Sequence, residues 1–492
     1  MPPARHPRTA LAAFLLPALC LLLLPGPALA FYFRLDGDRL WLQADRTPLT
    51  AVLDQFARAG VEVWADPGLS GTLTGSIRGE EVSEGLDRML DHCDYLLSWR
   101  LIPGPLGKIP KLRSIRVFSP GRQSAAVRRD APVRDTFDAT CGVTGASPEF
   151  VRDELLLAAR PGTTYDQFRR LLDQVGGMLV DAQDGVYLVR FPPGTNVEAL
   201  LPQLLRQPIV AHAQLNHVSR LPPGAAAAAA SASLPPVSPP ADGTLPVAVL
   251  DSGLDLSSPA AGVAIAAYDA VAPGDSITDP VGHGTQMALL ASGATTADGW
   301  TQASTALPVV AVRTFDANGA TSDFALLQAL AYAKKAGARV VNMSWGSETP
   351  SDFVASALRR AADDGLVLVA AAGNGGAPAA AYYPAAYDGV LAVAGTTPDG
   401  GTWSGSSTGP YVDLSAPATS TTREGNTLRG LAGTSVSAAA VSGAISRWLN
   451  LHPGATSAEA ISALKASLSP STAPGTGAGI LDAPALARYL AP

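Results

Sequence analysis

Leu245-Pro246-Val247-Ala248-Val249-Leu250-Asp251-Ser252-Gly253 is the stretch on which the fold turns. Its first six residues form a short apolar run, the signature of a strand buried on both faces in a parallel sheet. Asp251 ends the run, and the carboxyl ends of such strands are where open α/β sheets hold their sites. Further apolar runs alternate with helical patterns such as Phe324 to Ala336, as a parallel α/β sheet requires. Two more strings set reactive side chains beside glycine: Gly282-His283-Gly284-Thr285 and Gly433-Thr434-Ser435. Alone, Asp-Ser-Gly reads as a turn and Gly-Thr-Ser as a helix cap. Together they supply an acid, a base and a nucleophile in the order Asp251, His283, Ser435, one of three unrelated chain orders for this triad.

A serine hydroxyl attacks only when a positioned base takes its proton. Histidine suits that task because it titrates near neutrality. Beyond residue 244 the chain has only His283 and His452. His452 precedes Pro453 in a polar stretch and reads as a surface turn. His283 stands between glycines and before apolar Met287 to Leu290, so it is the base candidate. Asp251 would be buried and would orient the imidazole. Ser435 opens a small-residue run, Val436 to Gly443, that reads as a tightly packed helix. The free N–H groups of its first turn can help hold an oxyanion.

Other segments follow in a fixed order: Arg339-Val340-Val341-Asn342-Met343-Ser344-Trp345-Gly346, Leu366 to Gly375 with its Ala-Gly-Asn ending at Asn374, Tyr383-Pro384-Ala385-Ala386, Val390 to Gly395, and Val412 to Pro417. With them, residues 244–492 resemble the subtilisin-like serine proteases, or subtilases (peptidase S8). The resemblance implies an α/β catalytic unit, a subtilisin-like parallel sheet flanked by helices. It also implies endopeptidase activity through Asp251, His283 and Ser435, with Asn374 donating its amide to the oxyanion. Ser344, Trp345 and Gly346 would pair with the substrate backbone by strand addition. Three positions depart from the family pattern. Gln286 stands where a second histidine is usual, Val436 replaces a methionine, and Ala439-Ala440 replace a Pro-His pair. None is a triad position. The stretch Ala297 to Ala306 lacks the Asn-rich loop that binds calcium in many relatives. Calcium takes about six to eight oxygens, and no such set can be assembled, so no metal site or cofactor is assigned and calcium stays open.

At 492 residues, with 47% hydrophobic and 16% charged residues, the chain has ample material for several globular domains. Residues 244–492 carry 11 Lys and Arg against 18 Asp and Glu, which accounts for the whole net charge of −7. An acidic catalytic part argues against nucleic-acid binding and suits an exported enzyme. Residues 1–30 read as a signal peptide: Arg5, His6 and Arg8, an apolar core from Ala10 to Leu24, then Ala28-Leu29-Ala30 as a cleavage site. Periplasmic or extracellular localisation follows. Removing that segment leaves Cys93 and Cys141; export permits a bridge between them, and two free thiols are an equal reading.

The part between leader and catalytic unit divides in four. Residues 31–120 alternate strand and helix patterns: Arg39 to Ala44, the helical spacing of Leu49, Val52, Leu53 and Phe56, Val61 to Trp64, a helix through Val82, Leu86 and Met89, and Ser114 to Phe118. They resemble the short N-terminal domain of secretins and TonB-dependent receptors, which implies docking to a cell-envelope protein. Residues 121–149 read as an irregular linker. Residues 150–220 show a βαββαβ order, and Gly194 to Val197 and Gln214 to Val218 resemble the subtilase propeptide, a ferredoxin-like inhibitor and folding aid. The chain's own propeptide would thus be a partner, besides polypeptide substrates. Residues 221–243 are Ala/Ser/Pro-rich and read as a linker, where a zymogen would be cut. The expected architecture is therefore two small α+β domains before the α/β catalytic unit. A competing reading makes the chain an envelope binding or assembly protein with a vestigial protease fold; a third makes it an esterase.

Overall fold

The apolar run at 245–250 forms the strand Val247–Asp251, buried at every residue. In the computed structural model, which describes residues 31–90, 92–129, 137–140, 148–222, 243–376, 379–424 and 427–491, this strand lies inside a seven-stranded sheet. The strand order is Ala264–Asp269, Val309–Arg313, Val247–Asp251, Val340–Met343, Val367–Ala371, Val390–Thr396, Leu414–Pro417, and every neighbouring pair is parallel. Successive residues alternate between two cores. Val247 and Val249 face the helices His283–Ser292 and Thr434–Leu451, while Ala248 and Leu250 face Asp323–Lys335 and Asp352–Asp363. With helices on both faces, no strand of the sheet needs a polar side, which is why its strands read as unbroken apolar runs.

The sheet's connections aim the site. Helix His283–Ser292 is buried along its whole length and crosses close to helix Thr434–Leu451. A methyl group built on Gly443 would stand 3.4 Å from Ala291 Cα and 3.2 Å from its carbonyl carbon, so only glycine lets the two helices approach this closely. At the start of the first helix, a methyl on Gly284 would stand 2.7 Å from the Gly253 nitrogen. The strand end at Asp251 and the helix start at His283 are thereby pressed together. The closing helices are Ser457–Ser467 and Ala483–Tyr489, each capped by a side chain, Thr456 and Asp482 respectively.

Residues 150–220 form the expected βαββαβ series: Phe150–Ala159, helix Tyr165–Val175, Met178–Gln183, Val186–Arg190, helix Val197–Leu205, Val210–Arg220. The strands make an antiparallel sheet whose last member, Val210–Arg220, pairs with Ala320–Ser322 of the catalytic unit. The N-terminal region forms two further sheets. Its hairpin Asp94–Pro103 with Lys108–Phe118 sends Ile102 and Ile109 into the core of Phe168, Leu172 and Tyr187. Arg100 adds an ion pair to Asp181 at 2.7 Å.

The structure corrects the reading of 121–149 as irregular. Val127–Arg129 is an edge strand on Glu62–Ala65, and Ala139–Thr140 pairs with Phe150 and Val151. These pieces are too short for periodicity to reveal them. Residues 1–30, read above as a signal peptide, Cys141 and most of the stretch 221–243 lie outside the described residues. Among the described residues no helix is long and apolar enough to cross a membrane.

Candidate active site

Strand Val247–Asp251 delivers its terminal carboxylate to the ring of His283, with Asp251 Oδ1 2.7 Å from Nδ1. Asp251 is fully buried and His283 is 5% exposed, so the pair is shielded from water. Oδ1 also accepts the Ser252 N–H at 2.7 Å. Burial, the largest single influence on His283, disfavours the charged ring. The Asp251 charge, its hydrogen bond and the Asp279 charge outweigh that and hold the pKa above its ordinary value.

Asp279 is a residue the sequence reading missed. Its Oδ1 accepts from Ser252 Oγ at 2.7 Å and from the Gly282 N–H at 2.8 Å; its Oδ2 accepts from Thr285 N and Oγ1 at 2.8 and 2.6 Å. Ser252 Oγ in turn accepts the Gly284 N–H at 2.8 Å. One carboxylate thus ties the Asp251 loop to the helix start that carries His283. Its only signal in sequence was its place four residues before the histidine.

Ser435 lies in the first turn of helix Thr434–Leu451. Its hydroxyl donates to the Ser344 carbonyl at 2.9 Å, and Ser344 Oγ donates back to the Ser435 carbonyl at 3.0 Å. Among the described residues, no hydrogen bond joins Ser435 Oγ to His283. The hydroxyl is parked on the Ser344 carbonyl, and the helices that carry Ser435 and His283 cross at Gly443 and Ala291. Asn374 follows the strand Val367–Ala371. Its side-chain oxygen accepts from Thr434 N at 3.0 Å and Oγ1 at 2.8 Å. With the oxygen engaged, the amide N–H₂ is the end left to donate.

Ser344, Trp345 and Gly346 follow directly on strand Val340–Met343. The Trp345 ring is buried against Phe315 and donates to the Leu250 carbonyl at 2.8 Å, so only its backbone is available to a substrate. Gly346 already has a partner: Arg220, at the end of strand Val210–Arg220, pairs with it antiparallel. Leu221 then donates its N–H to the Gly319 carbonyl at 2.8 Å. Among the described residues no group of three or more His, Cys, Asp or Glu could hold a metal ion. Asp298, in the stretch where a calcium loop would stand, accepts instead from Thr421 N and Oγ1.

Comparison with known proteins bears on the same region. Residues 243–480 match the Subtilase family. The minor extracellular protease Epr of Bacillus subtilis is 36% identical over 177 residues, 36% of this chain and 27% of that protein. The thermostable alkaline protease of Halalkalibacterium halodurans is 34% identical over 212 residues, 43% of this chain and 58% of that one. This chain spans about half or less of the length of several such relatives. Thermitase of Thermoactinomyces vulgaris is different in extent: 32% identity over 201 residues, 40% of this chain but 72% of thermitase. That likeness covers most of thermitase, and the chain belongs to the subtilase family.

Proposed function

We propose that the chain is an exported serine endopeptidase made as a zymogen, with Asp251, His283 and Ser435 as its triad. The observation that carries this is the buried 2.7 Å contact between Asp251 and His283 at a site where Ser435 opens a helix beside Asn374. The substrate backbone pairs with Ser344–Gly346, as Arg220 does now. A substrate N–H given to the Ser344 carbonyl competes with Ser435 Oγ for that acceptor and frees the hydroxyl for His283 Nε2. Oγ then bonds to the scissile carbonyl carbon while its proton passes to Nε2. The oxyanion is held by the Asn374 amide and the Ser435 N–H. Collapse breaks the C–N bond, His283 returns the proton to the leaving amine, and water hydrolyses the acyl-enzyme by the same route.

Residues 150–220 act in this proposal as a ferredoxin-like propeptide. Two observations support it. The Val210–Arg220 strand ends in the cleft, on Gly346. Its side chains also cap two catalytic helices: Asn216 Oδ1 accepts the Phe324 N–H at 3.1 Å and Gln214 Oε1 the Phe353 N–H at 3.4 Å. Both lie at helix starts, where backbone donors are otherwise unmet. Export rests on the leader-like sequence at 1–30. Residues 31–120 are proposed to dock to a cell-envelope protein. Strand Asp94–Pro103 lies at a sheet edge and exposes Leu96, Trp99 and Leu101, a surface suited to strand addition.

The test is covalent labelling with a fluorophosphonate, followed by peptide mapping and casein hydrolysis. Label on Ser435 and loss of both signals in Ser435→Ala are expected. An unlabelled wild-type protein freed of residues 1–243 would overturn the assignment.

A further inference from the structure

We propose that Tyr382 fills the side-chain slot beside the nucleophile and restricts cleavage to bonds that follow glycine or alanine. This rests on the peptidase reading above and names its substrate class. The chain's own tail shows where a substrate residue would stand. Arg220 pairs antiparallel with Gly346, and continuing that register by two residues brings position 222 opposite Ser344. The Ser344 carbonyl is the one that Ser435 Oγ touches at 2.9 Å. A residue opposite Ser344 is therefore the one whose carbonyl meets the nucleophile.

In a strand, the side chain of that residue points away from those of its neighbours. That puts the side chain at 222 on the face of Gly346, where the backbone at Gly346 and that at Gly373, just before Asn374, wall in one ring. Both walls are glycine where they face each other, so neither supplies a side chain. The Tyr382 ring occupies the gap. A methyl group built on Gly346 would collide with it, Cδ1 standing 2.5 Å away. A methyl built on Gly373 would stand 3.0 Å from the same Cδ1 and 3.1 Å from Cγ. One ring thus lies against both walls.

The ring is also held in place. Tyr383 and Ser347 exchange both backbone hydrogen bonds at 2.7 Å, which fixes the chain next to Tyr382 onto the cleft strand. Burial first, then the charges of Glu348 and Tyr411, push the Tyr382 hydroxyl up to about 12, so the slot's floor is neutral. A bulky side chain entering here must displace an anchored, part-buried ring, whereas hydrogen or methyl need not. Exclusion by clash discriminates more sharply than a missing contact does. The chain's own linker agrees in composition: residues 224–233 are only Gly, Ala and Ser.

The experiment uses tetrapeptide p-nitroanilides that differ only in the last residue, Gly, Ala, Leu or Phe, with the matured enzyme. Wild type is expected to show kcat/KM for Ala at least about 100-fold above that for Phe, the upper range for discrimination by pocket size. Tyr382→Gly is expected to shrink the ratio below about 5-fold by raising Phe turnover, and Tyr382→Phe to keep the wild-type ratio. A wild-type preference for Phe or Leu, or an unchanged ratio in a Tyr382→Gly variant whose Ser435 still labels, overturns the proposal. If Tyr382→Gly fails to fold, the wild-type series decides. Wild-type protein that neither labels nor cleaves any peptide overturns the peptidase reading and this inference with it.

Discussion

The His283 ring feels burial pulling its pKa down and two carboxylates, Asp251 and Asp279, pushing it up, and the push prevails. A protonated ring cannot take the Ser435 proton, so a raised pKa delays activity as pH rises. The acid limb of kcat/KM is accordingly expected above pH 6.5, the ordinary histidine value. Asp279→Asn removes one of the upward pushes while keeping an acceptor for Ser252 and Gly282, and should move that limb to lower pH. A limb that stays put in a pH profile would show that the Asp279 charge does not reach the ring. Asp251→Asn should lower turnover by about four orders of magnitude with the fold intact, through the wrong imidazole tautomer, a size taken from trypsin-like triads. Asn374→Ala should cost about 100- to 1000-fold in kcat with little change in KM, the range known from subtilisin itself. The residues legible in the sequence were those whose chemistry has few substitutes: the proposed acid, base, nucleophile and oxyanion donor. Asp279 and Tyr382 were not legible, because their roles come from where loops bring them. An aspartate that gathers four donors reads in sequence like any turn aspartate.

Among elements, the central strands ending at Asp251, Met343 and Ala371 were read from their apolar runs, as a two-sided parallel sheet allows, whereas Ala264–Asp269, Val309–Arg313 and helix Asp352–Asp363 were not. Helix Asp323–Lys335 starts one residue before the expected Phe324, at the Ser322 cap. The hairpin Asp94–Pro103 with Lys108–Phe118 was mostly missed. Its first strand is largely exposed and shows no clean alternation that periodicity could catch. The Ala439-Ala440 departure is accommodated by burial: both residues are buried, Ala439 fully, in the core shared with Met287 and Leu290. Gly443 is the test of that contact. Gly443→Val forces two β-branched methyls against the Ala291 backbone, and overpacking of this kind costs about 1–3 kcal/mol. The expected outcome is a lower urea midpoint, and activity that falls further than stability, because the crossing it opens joins the helix begun by His283 to the one that carries Ser435. Unchanged unfolding would mean the helices part without cost.

For the whole molecule, the second unit touches both others, and an Arg128–Asp275 ion pair also ties the N-terminal sheet directly to the catalytic unit. The strand Val210–Arg220 reaches the cleft, while Ile102 and Ile109 from the N-terminal hairpin complete the core behind it. Latency should therefore depend on residues far from the triad. The register that sets position 222 opposite Ser344 puts Pro222 across the nucleophile. Pro222 has no N–H to give the Ser344 carbonyl, and Ser435 Oγ keeps that acceptor. The tail is thus expected to block the cleft without being cut at 222–223, and N-terminal sequencing of matured enzyme should find its first residue later in the linker. A product beginning at Pro223 would contradict the register. Deleting 31–120 while keeping the leader takes Ile102 and Ile109 out of the second unit's core, and burying such side chains is worth about 1.5–3 kcal/mol each. The inhibitory unit should loosen, so the zymogen should mature earlier and show higher basal peptidase activity, while matured enzyme keeps its specific activity because no catalytic residue has lost a contact. If matured enzyme from the deletion is inactive at equal Ser435 labelling, residues 31–120 belong to the catalytic machinery and the proposed division of labour fails.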